Sequence, residues 1–332
     1  MDAPTQTLTM AKALNLGLRK AMDRDAKTIL FGEDIGRLGG VFRVTDGLQK
    51  DFGEARVIDA PLAESGIVGT AIGLAMRGYR PVLEIQFDGF VFPAFDQIVT
   101  QVAKLRRRSE GAIAMPITIR IPYGGGIGAV EHHSESPEAY FAHTPGLRVL
   151  TPSDAQSAYT TIQQAIACDD PVIYFEPKRR YWDKGEVDLT IDALDSRDVP
   201  DAWRARVVRI GADVTVACYG PMVRTCLEAA AATDDVSLEI IDLQSISPLD
   251  FDTVAASVER TGRLVVVHEA SRTAGIGAEL AQRITERCFY SLEAPVLRVT
   301  GFDVPYPPSA FEEHFLPDLD RVLDGVDRVM AF

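Results

Sequence analysis

The chain has 332 residues, and its 48 acidic and 34 basic side chains leave a net charge of −14. A hydrophobic fraction of 46% excludes a disordered chain. So acidic a body repels phosphate backbones, so no nucleic acid is expected as principal partner. No run of about 18 apolar residues is present, so no membrane span is expected. Met1-Asp2-Ala3-Pro4 lacks the basic and apolar regions of a signal peptide. The four cysteines, Cys168, Cys218, Cys226 and Cys288, form no C-x-x-C pair and read as reduced thiols. A cytoplasmic protein of two domains is the expectation.

From the N-terminus, Ala11–Asp23 sets Leu14, Leu18 and Met22 on one helical face. Thr28–Phe31, Arg56–Asp59, Pro81–Phe87, Ile117–Ile121, Arg148–Leu150 and Pro171–Phe175 read as buried strands. Glu64–Met76 and Ser153–Ala167 are the intervening helices. Apolar strands alternating with helices predict parallel β-α-β units in a doubly wound α/β sheet. The pattern breaks at Tyr181–Ala202, read as a solvated linker. Beyond it, strands are expected at Asp213–Cys218, Leu238–Leu243, Arg263–His268 and Val296–Val299. Helices are expected at Met222–Ala232, Phe251–Arg260 and Ile276–Cys288, with Phe311–Met330 as a closing helical region. The domains are thus 1–182 and 204–332, joined by 183–203.

Gly124-Gly125-Gly126-Ile127-Gly128 follows a strand, where parallel sheets bind ligands. It leads into no clear helix and has no P-loop lysine, so it reads as a flexible turn or a weak nucleotide motif. His132 and His133 are adjacent, so they point different ways and do not chelate a metal together. Zinc-type spacing is absent. Ser136-Pro137 reads as an N-cap with proline at the first helical position. That places His133 before a helix whose dipole favours neutral imidazole, the form suited to proton transfer. A surface histidine is the plain alternative. Glu64 opens a helix whose flanks are small and apolar; it is either a dipole-complementing surface residue or a buried carboxylate needing a partner. Phe90, Phe92 and Phe95 follow a strand end, as core, as interface or as the wall of a heterocycle site.

In order along essentially the whole chain stand Phe31-Gly32-Glu33-Asp34, Pro61-Leu62-Ala63-Glu64-Ser65-Gly66, Phe95-Asp96-Gln97-Ile98 and His133-Ser134-x-Ser136-Pro137-Glu138-Ala139. After them come His143-x-Pro145-Gly146-Leu147, Phe175-Glu176-Pro177-Lys178, Arg260-Thr261-Gly262-Arg263-Leu264 and His268-Glu269-Ala270. This ordered set resembles the β subunit of the E1 component of 2-oxoacid dehydrogenase complexes. Glu84-Ile85-Gln86-Phe87 and Ser136–His143 look most like the branched-chain enzyme. The pyruvate enzyme is the near neighbour.

The resemblance implies a transketolase-like pyrimidine-binding domain, a smaller transketolase C-terminal-type α/β domain, and thiamine diphosphate as cofactor. It makes Glu64 the carboxylate that hydrogen-bonds the pyrimidine ring, with Leu62 and Phe90 packed at that ring and Gln86 in the pocket. Phe90 stands where branched-chain relatives carry tyrosine, so a contact through a hydroxyl is lost. His133 becomes the proton-transfer residue in reductive acylation of a lipoyl group. The resemblance also implies a structural potassium ion on carbonyls near Met115, Ile117, Ala165, Cys168 and Asp170. Gly-Asp-Gly, the motif by which such enzymes hold Mg²⁺ and the diphosphate, occurs nowhere in the chain. That half of the site is therefore expected from an E1 α subunit, in a heterotetramer of two α and two β chains. The acidic C-terminal domain is expected to dock the E2 lipoyl acyltransferase. Three alternatives stand beside this reading: a pyruvate or acetoin E1 β subunit, a non-catalytic structural subunit, and a nucleotide-binding module built on Gly124–Gly128.

Overall fold

The computed structural model describes residues 5–195 and 200–332. Met1–Pro4, and residues 196–199 of the expected linker, lie outside them. The elements run β1 (Thr5–Thr9), α1 (Met10–Arg24), β2 (Thr28–Gly32), α2 (Leu48–Phe52), β3 (Val57–Asp59), α3 (Glu64–Met76) and β4 (Arg80–Glu84). A 3₁₀ turn over Asp88–Ala94 and a π-helical segment over Gln97–Val102 lead into α4 (Ala103–Arg108) and β5 (Thr118–Tyr123). A second 3₁₀ turn, Glu131–His133, precedes α5 (Glu138–Ala142), β6 (Arg148–Leu150), α6 (Ala155–Ala167), β7 (Val172–Pro177) and β8 (Lys184–Asp188). The C-terminal half comprises β9 (Arg206–Arg209), β10 (Val214–Cys218), α7 (Met222–Ala231), β11 (Leu238–Asp242), β12 (Ser245–Ser247), α8 (Phe251–Thr261) and β13 (Leu264–Ser271). It closes with α9 (Ile276–Cys288), β14 (Leu297–Gly301), α10 (Glu312–Phe315) and α11 (Leu319–Met330).

The first sheet has the order β12-β6-β7-β5-β4-β2-β3 and is parallel except for β12, which pairs antiparallel with β6. The second has the order β14-β13-β10-β11-β9, parallel except at β9. The expected α/β class holds. Lys184–Asp188, inside the stretch expected as solvated linker, instead forms an antiparallel ribbon with Thr5–Thr9.

Local chemistry explains the helix starts. Thr9 accepts the Lys12 N–H at the head of α1. Asp154 and Ser157 form a capping box on α6, and Asp250 and Asp318 cap α8 and α11. Between the halves the apolar core is continuous: Ile67, Ile119 and Phe175 belong to the same buried cluster as Val266, Leu280 and Ile284. Polar contacts reinforce it, with the Tyr219 hydroxyl donating to Glu138 at 2.6 Å and Ser153 donating to Asp242 at 2.6 Å. Inside the first sheet, the fully buried Arg120 donates to Glu84 at 2.6 Å and to both oxygens of Glu176 at 2.7 and 2.9 Å. Tyr181 donates to the same Glu176 at 2.6 Å. Both carboxylates therefore face a charge whose donors they share, the condition under which buried ions are tolerated.

Candidate active site

The carboxyl ends of β2, β4 and β5 lie side by side and carry Glu33, Gln86 and the Gly124–Gly128 loop, so the candidate residues collect at one edge of the sheet. Glu64 is the first residue of α3, 9% exposed, and among the described residues no side-chain donor reaches it. Next to it, burial and the Glu64 charge push the Glu33 carboxyl up, while the Ala63 N–H counteracts them. Glu33 Oε1 is buried without a hydrogen-bond partner. Gln86 Nε2 faces the Glu33 carbonyl at 3.5 Å and Asp34 at 3.3 Å. Leu62 is 80% exposed at the rim.

Helix α3 packs on the Asp88–Ala94 turn, and that turn packs on Glu131–His133. The His133 imidazole lies 4.2 Å from the Phe87 ring and 5.1 Å, edge-on, from Phe90. Its Nδ1 is buried and unpartnered. Burial lowers the His133 pKa, and the charges of Lys178 and His132 lower it further. Neutral imidazole is thus favoured, but not by a helix dipole. Ser136 caps nothing: α5 begins at Glu138 with Pro137 at its cap, it is one turn long, and the Ser136 hydroxyl is unpartnered. His132 points away, with 70% of its side chain exposed. Phe92 and Phe95 pack instead around Tyr140 and Phe141.

The glycine loop is no phosphate cradle. Gly126 and Gly128 donate their N–H groups to Glu312 at 2.8 and 2.9 Å, Gly125 donates to Glu269, and Tyr306 donates to Glu312 at 2.6 Å. Two carboxylates from the C-terminal half fill the anion-binding position and would repel a phosphate. The nucleotide-module alternative has no site there.

Met115, Ile117 and Ala165 are buried, and the segments around them are adjacent: Met115 N–H bonds the Asp169 carbonyl and Val172 N–H bonds that of Ile117. The Ala165 carbonyl accepts the Cys168 N–H, and the Cys168 carbonyl accepts from Arg80 at 3.2 Å. Both Asp170 carboxylate oxygens are taken by Arg106 and Arg148. A cation here would have only backbone carbonyls to bind. Among the described residues no cluster of His, Cys, Asp and Glu is arranged to hold a metal ion, and no helix is long and apolar enough to cross a membrane.

Sequence reasoning passed over Asp88 and Lys178, a fully buried ion pair beneath this site. Lys178 stood within a quoted motif, but nothing in the sequence pairs it with a residue 90 positions earlier.

Comparison with known proteins identifies the domains and the family. Residues 6–183 match the transketolase pyrimidine-binding domain and residues 204–322 the transketolase C-terminal domain. The pyruvate dehydrogenase E1 component subunit beta of Leifsonia xyli is 58% identical, over 98% of this chain and 96% of its own length. The 3-methyl-2-oxobutanoate dehydrogenase subunit beta of Mycobacterium tuberculosis is 55% identical, over 98% and 93%. The 2-oxoisovalerate dehydrogenase subunit beta of Pseudomonas aeruginosa is 46% identical, over 99% and 97%. A solved structure described as a split gene transketolase, inactive beta4 tetramer, shares the fold, with a TM-score of 0.77, 21% identity and coverage of 98% and 99%. The chain belongs to the family of E1 component β subunits of 2-oxoacid dehydrogenase complexes.

Proposed function

We propose that this chain is the β subunit of a thiamine-diphosphate-dependent E1 that decarboxylates branched-chain 2-oxoacids and passes the acyl group to the lipoyl group of an E2 acyltransferase. The observation that carries the reading is one constellation: a buried, donor-free Glu64 beside Glu33, and a neutral His133 against Phe87 and Phe90, at one sheet edge. The orphaned carboxylate oxygen of Glu33 and the open rim at Leu62 are what a missing heterocycle would satisfy and cover. When bound, thiamine diphosphate supplies a carbon nucleophile and an electron sink for decarboxylation.

The protein's share follows from its residues. Glu64, buried beside Glu33, would hold a ring nitrogen of the cofactor by a hydrogen bond. Phe90 and Leu62 would pack on the ring, and Gln86 donates to the Glu33 carbonyl and the Asp34 carboxylate. His133, neutral at physiological pH, holds or moves a proton at its ring nitrogen while the lipoyl thiol is released. Non-catalytic structural subunits have no use for such a pair.

Lacking Gly-Asp-Gly, the chain is active only with an α subunit that holds Mg²⁺ and the diphosphate. Ser65, Gly66, Gly73 and Met76 lie exposed along α3, and a Cβ at Gly73 meets nothing within 4 Å. Nothing among the described residues requires a glycine there, whereas close approach of a partner helix would. A potassium ion on the carbonyls of Met115, Ile117, Ala165, Cys168 and Asp170 belongs to the same reading, since carbonyls have a second lone pair and the nearby arginines are already neutralised by Asp169 and Asp170. A pyruvate substrate is the second reading, favoured by the Leifsonia relative. The Phe87–Phe90 wall favours the larger apolar substrates, at about 1–3 kcal/mol per methylene.

The test is co-expression with the cognate α-type chain and a decarboxylation assay on 3-methyl-2-oxobutanoate, 4-methyl-2-oxopentanoate and pyruvate. Highest kcat/KM on the branched acids, in the mixed complex only, is the expected result. Preference for pyruvate overturns the specificity and keeps the chemistry.

A further inference from the structure

Asp88 is wholly enclosed and makes contacts on two sides. Its Oδ1 pairs with the buried ammonium of Lys178, which arrives at the end of β7. Its Oδ2 accepts the N–H of Glu135 at 2.9 Å, two residues beyond His133. Glu135 is held on its other side as well, because Gly124 N–H donates to its carbonyl at 2.9 Å. Phe87 and Phe90, the two rings that pack on His133, flank Asp88 in the chain. Lys178 also lies 5.6 Å from the centre of the Phe87 ring. At Gly89 a Cβ would stand 2.5 Å from the His132 carbonyl oxygen and 2.9 Å from its Cα, so the backbone of the histidine turn rests directly on the Asp88–Ala94 turn.

We infer that Asp88, neutralised by Lys178, is a positioning residue that locks the His133 turn onto the aromatic wall and so sets the geometry of acyl transfer to the lipoyl group. This rests on the E1 reading above. A buried carboxylate is costly, and one accepting a backbone N–H and a buried ammonium fixes both donors more tightly than a neutral acceptor does. Asp88 touches neither substrate nor cofactor in this account; it acts through the position of His133. A displacement of about 1 Å at such a group costs on the order of 100-fold in rate.

The experiment compares Asp88→Ala and Asp88→Asn in the assembled complex, reading lipoyl-domain acylation and decarboxylation with an artificial electron acceptor separately. Asparagine keeps an oxygen for the Glu135 N–H; alanine does not. Asp88→Ala is expected to lower acylation at least about 10-fold and decarboxylation by a smaller factor, with Asp88→Asn recovering most of the loss. Hydrogen exchange of the peptide spanning residues 131–136 is expected to quicken in Asp88→Ala and stay slow in Asp88→Asn. Should the lone Lys178 charge unfold either variant, the comparison is made between Asp88→Ala/Lys178→Met and Asp88→Asn/Lys178→Met, which leave no unpaired ion and are held to the same expectations. Equal losses in the two half-reactions, no rescue by asparagine, or unchanged exchange overturns the proposal. A wild-type complex inactive on both half-reactions overturns the E1 reading instead, and exchange on the purified full chain still decides the role of Asp88.

Discussion

His133 and Glu138 show how burial sets the protonation of single residues here. Both belong to the stretch that enters α5, yet the forces on them differ. Burial and the nearby Lys178 keep His133 neutral. His133→Ala should therefore lower lipoyl acylation at least about 100-fold and leave a larger fraction of artificial-acceptor decarboxylation; equal losses, read in parallel assays, would remove the division of roles. Glu138 is fully enclosed, its Oε2 is unpartnered, and its carboxyl is pushed up to about 8, because burial outweighs the hydrogen bond from Tyr219. A carboxyl raised above its unfolded value stabilises the fold fully at low pH, and that contribution is lost as pH rises toward about 8. Denaturant unfolding at pH 5.5 and 8.5 should show Glu138→Gln losing less stability across the interval than the wild type, by about 3 kcal/mol. Parallel losses would mean that Glu138 is ionised throughout.

At the scale of elements, most of the fold could be read from patterning, and the exceptions have physical causes. Helices α3 and α9 begin and end where their apolar and small residues do, because packing on one face suffices to define them. The strand expected over Pro81–Phe87 stops at Glu84; the Ile85 N–H still bonds the Arg120 carbonyl, and the chain then bends into the Asp88–Ala94 turn. Lys184–Asp188 looked like coil because a two-stranded ribbon at the surface has no apolar run to announce it. The motifs single out Glu64 and His133 as candidates but not Asp88 or the Arg120 cluster: charges placed in strands or turns read as solvated until their partners are seen across the sheet. The glycine loop was read as a turn or a nucleotide motif, and its partners explain the outcome, for Glu312 satisfies two of its N–H groups and Tyr306 besides. Glu312→Ala should destabilise the chain by about 1–3 kcal/mol in denaturant unfolding, as the buried Tyr306 hydroxyl and two partly buried N–H groups lose their acceptor. A neutral effect would show that water replaces the carboxylate.

On the scale of the whole molecule, one core runs through both halves, and the second half supplies β12 to the first sheet and two carboxylates to its glycine loop. The C-terminal half therefore helps to shape the site although the candidate catalytic residues lie in the first. On the proposed reading the molecule carries half of a cofactor site: the buried Glu64, an aromatic wall and an exposed Leu62, with no motif for the diphosphate. The central claim is that this half binds only when completed by the α chain. Titration calorimetry of thiamine diphosphate with Mg²⁺ tests it directly, on this chain alone, on the co-expressed complex, and on the complex carrying Glu64→Gln. The account predicts no saturable binding to the chain alone, binding to the complex, and binding weakened by about 1.5–3 kcal/mol when the charged acceptor at Glu64 is removed. Saturable binding to the chain alone would contradict it.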